Sequence, residues 1–420
     1  MIAAALALTF LALNYQAFDS YFQDDEFDNM AWTSVNPPGQ YGVALLSPRY
    51  STANFRPVGH LYFRVMTRLA GLNFASWVPS LFLLHLLNGA LLFLLLRRLG
   101  TGEWGVWLGT AFFVLSGAAM DVYWKPMYVF DLLCTTLCVA SVLFYSQRRW
   151  ILSFVAFWLA YKSKELAVML PAVLVAYEYW LGERKFLRLV PFLAVSLSFG
   201  TQGILLNPNQ DNDYTFRFSL AALKVTLPWY ANRFMGFRGS GLLLLPLLLV
   251  RDRRVWFGLA AMALVVSLLS FLPGRTFEAY AYLPLAFASI ALAAWASGSP
   301  RVAGVVFLLW FGLNVKMVRG EQREALAIAN QIAAFAQPVM RVARLHPQIH
   351  TLIFDGLPAT FHHWGATGAW NIGHGTLGYR ALYIATPEAI EAMATETIAL
   401  AKWDAQRPQT LLLIREPNPR

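Results

Sequence analysis

Apolar residues in this chain gather into eleven runs, roughly 1–18, 77–96, 103–119, 127–146, 150–161, 166–181, 188–206, 240–250, 255–272, 279–297 and 302–318. Leu81 to Leu96 and Leu242 to Val250 are continuous rather than alternating, a pattern of helices and not of ten-residue barrel strands. At ~1.5 Å per residue, a run of about twenty crosses ~30 Å of hydrocarbon, and the runs from 150, 166 and 240 are shorter than that. Two stretches depart from the pattern. Residues 54–68, NFRPVGHLYFRVMTR, interleave Phe55, Leu61, Tyr62, Phe63 and Met66 with Arg56, His60, Arg64 and Arg68, which predicts an amphipathic helix at the membrane interface or packed on the protein. A turn at Asn36-Pro37-Pro38-Gly39 precedes it. From Glu321 onward the chain reads as a small soluble unit, with helical spacing over 321–345, strands at Thr351 to Phe354 and Thr410 to Ile414, and a helix start at Thr386-Pro387. The expectation is a polytopic α-helical membrane protein of about eleven transmembrane helices over 1–319, followed by a small α/β outer domain over 320–420.

Composition agrees, since 58% of the 420 residues are hydrophobic, 13% are charged and mean hydropathy is +0.49, which excludes a single water-soluble core. The net charge of +10 is explained by topology. Arg97 and Arg98, Arg148 and Arg149, Arg184, Lys185 and Arg188, Arg251, Arg253 and Arg254, and Arg301 all follow even-numbered runs, so the positive-inside rule makes those loops and the amino terminus cytoplasmic. The basic balance therefore carries no sign of nucleic-acid binding. The first run lacks a basic n-region and reads as an anchor rather than a signal peptide. Cys134 and Cys138 lie four apart in an apolar run and read as buried thiols.

That topology places the unusual polar residues on the outer side, facing a periplasm or equivalent compartment. The first outer loop, 19–76, opens with Asp24, Asp25, Glu26 and Asp28, an acid density that at a bilayer is either solvated or put to use. Asp121 and Lys125 follow at the next outer turn, where Lys125 could merely snorkel. Lys162-Ser163-Lys164-Glu165 forms a charged knot between two short runs, more charge than a connector needs. The segment Pro273 to Pro284 supplies Arg275, a natural phosphate ligand, and Glu278 at a helix start, with Tyr280 and Tyr282 as aromatic-belt residues. In the tail, His362, His363, His374, Trp364 and Trp370 match no standard zinc spacing and read as loop residues.

The acidic motif, FRPVGHLYF, HLLNGALLFLLLRRLG, KSKELAVMLP and RTFEAYAYLP, in that order and on those sides, resemble the GT-C superfamily of integral-membrane glycosyltransferases. That group includes the protein O-mannosyltransferases and the aminoarabinose transferase of lipid A. Residues 55 to 100 look most like the tetratricopeptide-bearing O-mannosyltransferases and their bacterial relatives, although no such repeats follow. The resemblance spans roughly 15 to 290. It implies a polyprenyl-phosphate sugar donor and a glycan, lipid or protein acceptor meeting at the outer membrane face, with inversion at the anomeric carbon. Asp25 would be the general base, Asp24 its rival, and Asp28 a supporting or metal-binding carboxylate. Arg275, with Lys164 or Lys125, would hold the donor phosphate, supported by Glu165, Glu278, Arg56, His60 and Tyr282. A divalent metal, Mg or Mn, held by Asp25 and Asp28 is open, because relatives differ on it. The chain lacks the Trp-Trp-Asp-Tyr-Gly motif of oligosaccharyltransferases, and nothing in it selects mannose over glucose or aminoarabinose. The competing readings are a lipid-linked glycan transporter, which would need an ionisable path through the spans, and a structural partner with a degenerate fold.

Overall fold

The computed structural model describes residues 1–49, 51, 54–206, 211–237 and 239–417; of the predicted outer loop 207–239, residues 207–210 and 238 lie outside the described residues. Helix α1 (Ile2–Asn14) leads into a first outer loop that is itself helical, made of α2 (Asp24–Val35), α3 (Pro38–Leu46) and α4 (Pro57–Ala70). Pro38 and Pro57 open α3 and α4 in the first turn, where a missing N–H costs nothing and the fixed φ suits a helix. The bundle continues through α5 (Val78–Arg98), α6 (Glu103–Leu115), α7 (Asp121–Trp124), α8 (Val129–Ser146), α9 (Trp150–Tyr161), α10 (Leu170–Trp180) and α11 (Val190–Leu206). It closes with α12 (Leu220–Met235), α13 (Arg253–Leu269), α14 (Tyr282–Gly298) and α15 (Pro300–Leu345).

All eleven apolar runs lie on helix, but not on equal ones. Among the described residues, six helical stretches are long and apolar enough to cross a membrane: Ile2–Asp19, Phe74–Arg98, Pro126–Ser146, Phe186–Leu206, Glu278–Gly298 and Pro300–Leu345. Glu103–Leu115, Trp150–Tyr161 and Ser240–Leu249 are apolar and shorter, so the predicted number of crossings is not matched by length alone. Ser240–Leu249 is a 3₁₀ helix, whose steeper rise of ~2.0 Å per residue gives a short run more reach.

The bundle packs around α14, whose candidate span is 83% buried and rich in alanine. Gly105 and Gly109 of α6 seat directly against Ala293 and Ser289, and Gly258 of α13 against Phe287 and Ala291, at separations no β-carbon would tolerate. In lipid, where apolar burial gives helices no drive to associate, such small-residue seams let van der Waals contact do so. The spans of α1 and of α11 are only 17% buried and form the periphery.

The predicted alternation is realised as two ends. At one end the basic loops meet: Arg98 donates to the Ser146 carbonyl, Arg254 to that of Gly100, Arg148 and Arg188 pair with Glu183, and Trp104 donates to Pro300. At the other end Glu26 of α2 accepts the Met127 N–H, the Val58 N–H of α4 donates to the Lys162 carbonyl, and Arg56 before α4 holds Glu165.

α15 does not stop where the last run ends. It continues unbroken for 46 residues, so the helix predicted over 321–345 is its extension. Beyond it lie β1 (Thr351–Asp355), α16 (His363–His374), β2 (Arg380–Tyr383), α17 (Pro387–Thr395), β3 (Ile398–Asp404) and β4 (Gln409–Arg415). The strand order is β2-β1-β3-β4, with β1 parallel to both neighbours and β4 antiparallel to β3. The two predicted strands are β1 and β4, and Thr386 caps α17 as expected, accepting from the Ala389 N–H.

Candidate active site

Asp24, Asp25 and Glu26 form the first turn of α2, where carboxylates suit the positive end of the helix dipole. Gln23 and Glu26 close a reciprocal capping box across that turn. The turn then sends its acids in opposite directions. Glu26 is fully buried, and its second oxygen accepts the Met127 N–H at 3.0 Å. Burial pushes its pKa up to about 8, against the pull of those two backbone bonds. Asp24 is also buried, with Oδ1 accepting the His362 N–H at 2.7 Å and Oδ2 lying 2.6 Å from His362 Nδ1. Its pKa is raised by burial, which outweighs those two bonds. Asp25 and Asp28, three residues apart, remain exposed. Asp25 Oδ1 accepts the indole N–H of Trp364 at 2.9 Å, and the Trp364 ring stacks on His362 with centroids 4.3 Å apart. For Asp28, loss of hydration first and the Asp25 charge second both raise the pKa.

The C-terminal unit thus supplies two of the partners of the acidic turn. It reaches them because α16 lies tight against α2. A β-carbon on Gly365 would fall 2.6 Å from Asp24 Oδ1, and one on Gly368 would fall 2.6 Å from the Asp28 backbone nitrogen.

Cations ring the same end, and most already have carboxylate partners. Lys125 pairs with Asp121 at 3.0 Å, Lys164 with Asp131 at 2.5 Å, and Arg56 holds Glu165 through two bonds of 2.8 and 2.9 Å. Arg233 bridges Glu278 at 2.5 Å and Glu321 at 2.6 Å. For Lys125, burial works against the charge and Asp121 more than restores it, raising the pKa. For Glu165, burial would raise the pKa, but the Arg56 charge and bonds hold it below the ordinary value. Arg275 differs: its guanidinium lies between the rings of Tyr214 and Phe277, 4.0 and 4.4 Å from their centroids, and donates to the Tyr214 hydroxyl at 2.5 Å. Its Nε is buried with no acceptor among the described residues.

His60 serves Arg56. Its Nδ1 accepts the Arg56 N–H at 2.9 Å, its ring is enclosed by Trp32, Phe55 and Phe130, and burial, followed by the Arg56 charge, lowers its pKa to about 3. Tyr282 is placed differently from the rest. It is buried in the bundle, bonded to His85 at 2.7 Å and Asn88 at 3.2 Å, with no bond to the outer charges among the described residues.

Beside the Arg56–Glu165 pair a cavity of ≈ 250 Å³ is lined by Ser47, Arg49, Phe55, Tyr161 and Lys162. Lys162 Nζ donates to the Ser47 carbonyl at 2.7 Å and lies over the rings of Trp158 and Phe199 at 5.2 and 5.0 Å. Burial lowers its pKa to about 8. Leu197 on α11 and Val155 on α9 are exposed apolar residues of the two helices that carry these rings.

Asp131 and Arg233 were not singled out from sequence, and His362 and Trp364, read there as loop residues, instead cap and open α16 and bond the acidic turn. Asp131 had a signal, being a lone acid inside an apolar run, where ionisable residues are rare and functional by default. The Gly365 and Gly368 spacing was a signal that α16 packs closely on something.

No family model and no curated protein matches this chain. Two solved structures share its fold over almost the whole length. ArnT from Cupriavidus metallidurans in the apo state is 13% identical with a TM-score of 0.55, covering 99% of each chain. The same protein bound to undecaprenyl phosphate is 13% identical with a TM-score of 0.57, covering 100% of this chain and 98% of that one. This chain therefore has the fold of those two structures, as the sequence resemblance led one to expect.

Proposed function

We propose that the protein is a membrane glycosyltransferase that moves a sugar from a polyprenyl-phosphate donor to a hydroxyl acceptor at the outer end of the bundle, with Asp25 as general base. One observation carries this reading: of the acids in the first turn of α2, Asp24 and Glu26 are buried and bonded, while Asp25 is exposed and, among the described residues, held by one oxygen only. Its other oxygen is free to take a proton. The fold shared with ArnT, which has been seen with undecaprenyl phosphate, supports the donor class.

In the proposed step Asp25 removes the acceptor hydroxyl proton as the acceptor oxygen bonds to the anomeric carbon. The bond from that carbon to the phosphate oxygen breaks, and the polyprenyl phosphate leaves with the electron pair. Arg275, which has no carboxylate partner among the described residues, meets the phosphate charge. Lys164 and Lys125 contribute by exchanging Asp131 and Asp121 for phosphate. The Arg49, Arg56 and Lys162 cavity, beside the exposed apolar faces of α9 and α11, supports an approach of the donor head from the lipid. With the basic loops taken as cytoplasmic, transfer occurs on the outer face.

As an alternative to the base role, the exposed carboxylates of Asp25 and Asp28 would hold a divalent ion, Mg or Mn, which keeps water ligands and takes phosphate oxygens. Such an ion would neutralise charge on the leaving phosphate.

The purified protein, given radiolabelled polyprenyl-phosphate sugars and a membrane extract, is expected to transfer label to a hydroxyl-bearing acceptor. No transfer and no donor binding across a panel of sugars would reject the enzyme reading. Donor movement across a vesicle without transfer would favour a transporter.

A further inference from the structure

The far end of α4 carries a second cationic cavity, distinct from the one at its start. Along α4 the residues Leu61, Val65 and Leu69 repeat every fourth position and are 46%, 45% and 78% exposed, an apolar stripe with no protein cover. On a helix beside a membrane bundle, such a stripe lies against lipid. It leads to Leu72, where a cavity of ≈ 420 Å³ is bounded by Tyr21, Leu72 and the last turns of α15. There Gln337, Arg341 and Arg344 are spaced four and three apart, so they share one helix face, with Met340 and Leu345 as apolar lining.

Three features make this a site rather than a solvated surface. Arg341 and Arg344 have no ion-pair partner among the described residues, although the cations of the active end mostly do. Tyr21 follows the candidate span Ile2–Asp19 and Leu72 precedes Phe74–Arg98, which puts the cavity at headgroup depth. Leu72 on the cavity wall follows the α4 stripe by three residues, close enough in sequence for one ligand to reach both. α4 has 14 residues, a length of ~21 Å, which keeps this cavity apart from the Arg49 and Lys162 cavity at its other end.

We propose that this cavity binds the phosphate of an anionic lipid, with the phosphate between Arg341 and Arg344 and the chains along Leu61, Val65 and Leu69. Two forked guanidiniums match phosphate oxygens better than ammonium groups do. The assignment does not depend on the transferase reading.

The test is calorimetric titration of the whole protein in detergent with dihexanoyl phosphatidic acid, dihexanoyl phosphatidylcholine and inorganic phosphate. Phosphatidic acid is expected to bind saturably and about tenfold or more tightly than either control, as charge-assisted bonds allow. Arg341→Gln with Arg344→Gln should weaken it by about tenfold or more. Leu69→Gln should weaken phosphatidic acid without changing inorganic phosphate. Arg49→Gln with Lys162→Gln should leave phosphatidic acid binding intact. Inorganic phosphate binding as tightly as the lipid, indifferent to Leu69→Gln, would make the ligand a soluble phosphate and overturn the lipid assignment. Lipid binding untouched by the Arg341 and Arg344 changes, or lost instead with Arg49 and Lys162, would overturn the site. Should the glutamine pair unfold, Arg341→Lys with Arg344→Lys keeps the charge and removes the fork; unchanged affinity there would equally count against it.

Discussion

The indole N–H of Trp364 donates to Asp25 at 2.9 Å across 339 positions of sequence, and so fixes one carboxylate oxygen. Asp25→Asn is expected to keep the fold and lose about 10²- to 10⁴-fold in transfer rate, the usual contribution of a general base. Trp364→Phe keeps the ring but not the N–H, and should lower kcat with little change in KM for the donor. Asp24→Asn should instead lower the unfolding temperature, because the backbone and ring donors of His362 lose their charged acceptor. Equal losses of activity from Asp24→Asn and Asp25→Asn, at equal stability, would contradict this division of roles.

Gly365 and Gly368 allow α16 to lie on α2. Gly368→Val should therefore wedge the two helices apart, costing about 1–3 kcal/mol and reducing activity through Asp25. Thermal unfolding, with limited proteolysis of the segment after 345, would register the loosening. A Gly368→Val protein of unchanged stability and rate would mean that the close approach is dispensable.

Glu26 gives stability a pH dependence whose sign follows from its raised pKa. A carboxyl at about 8 in the folded protein, against 4.5 ordinarily, holds its proton more tightly when folded. Its contribution is complete below about pH 4.5 and is lost as pH rises through about 8. Glu26→Gln should flatten the stability profile over that window, measured by thermal unfolding at stepped pH. A wild-type profile with no fall between those limits would show that Glu26 is ionised when folded.

Lys164 and Asp131 form a buried pair at 2.5 Å with side chains 11% and 3% exposed. Asp131→Ala should cost about 3–5 kcal/mol by leaving a buried cation unpaired, whereas Asp131→Asn with Lys164→Gln should cost far less. If Lys164 also meets donor phosphate, that double variant will be stable yet raise KM for the donor. Full activity in the stable double variant would confine the pair to a structural role.

Much of this was legible in the chain. Eleven apolar runs and the spacing of Arg97, Arg148, Arg188 and Arg254 anticipated the helices and the gathering of basic loops at one end. The acidic turn and the Lys162 to Glu165 knot stood out because charge is scarce in an apolar chain. What sequence could not tell was which acid would be left free. That depends on Met127, His362 and Trp364, whose positions are set by tertiary packing and not by any local period. Helix α15 escaped for a related reason: its outward half has ordinary amphipathic spacing, and nothing in that spacing says whether it continues the preceding span.

The partnership between the acidic turn and α16 also sets an order in time. Asp24 and Asp25 leave the ribosome 338 and 339 residues before His362 and Trp364. Until those residues are made, the acidic turn lacks the partners that hold Asp24 and Asp25. A chain stalled before residue 362 would therefore hold helices of the bundle without a completed acidic turn, so that turn is finished late in translation rather than when it is made.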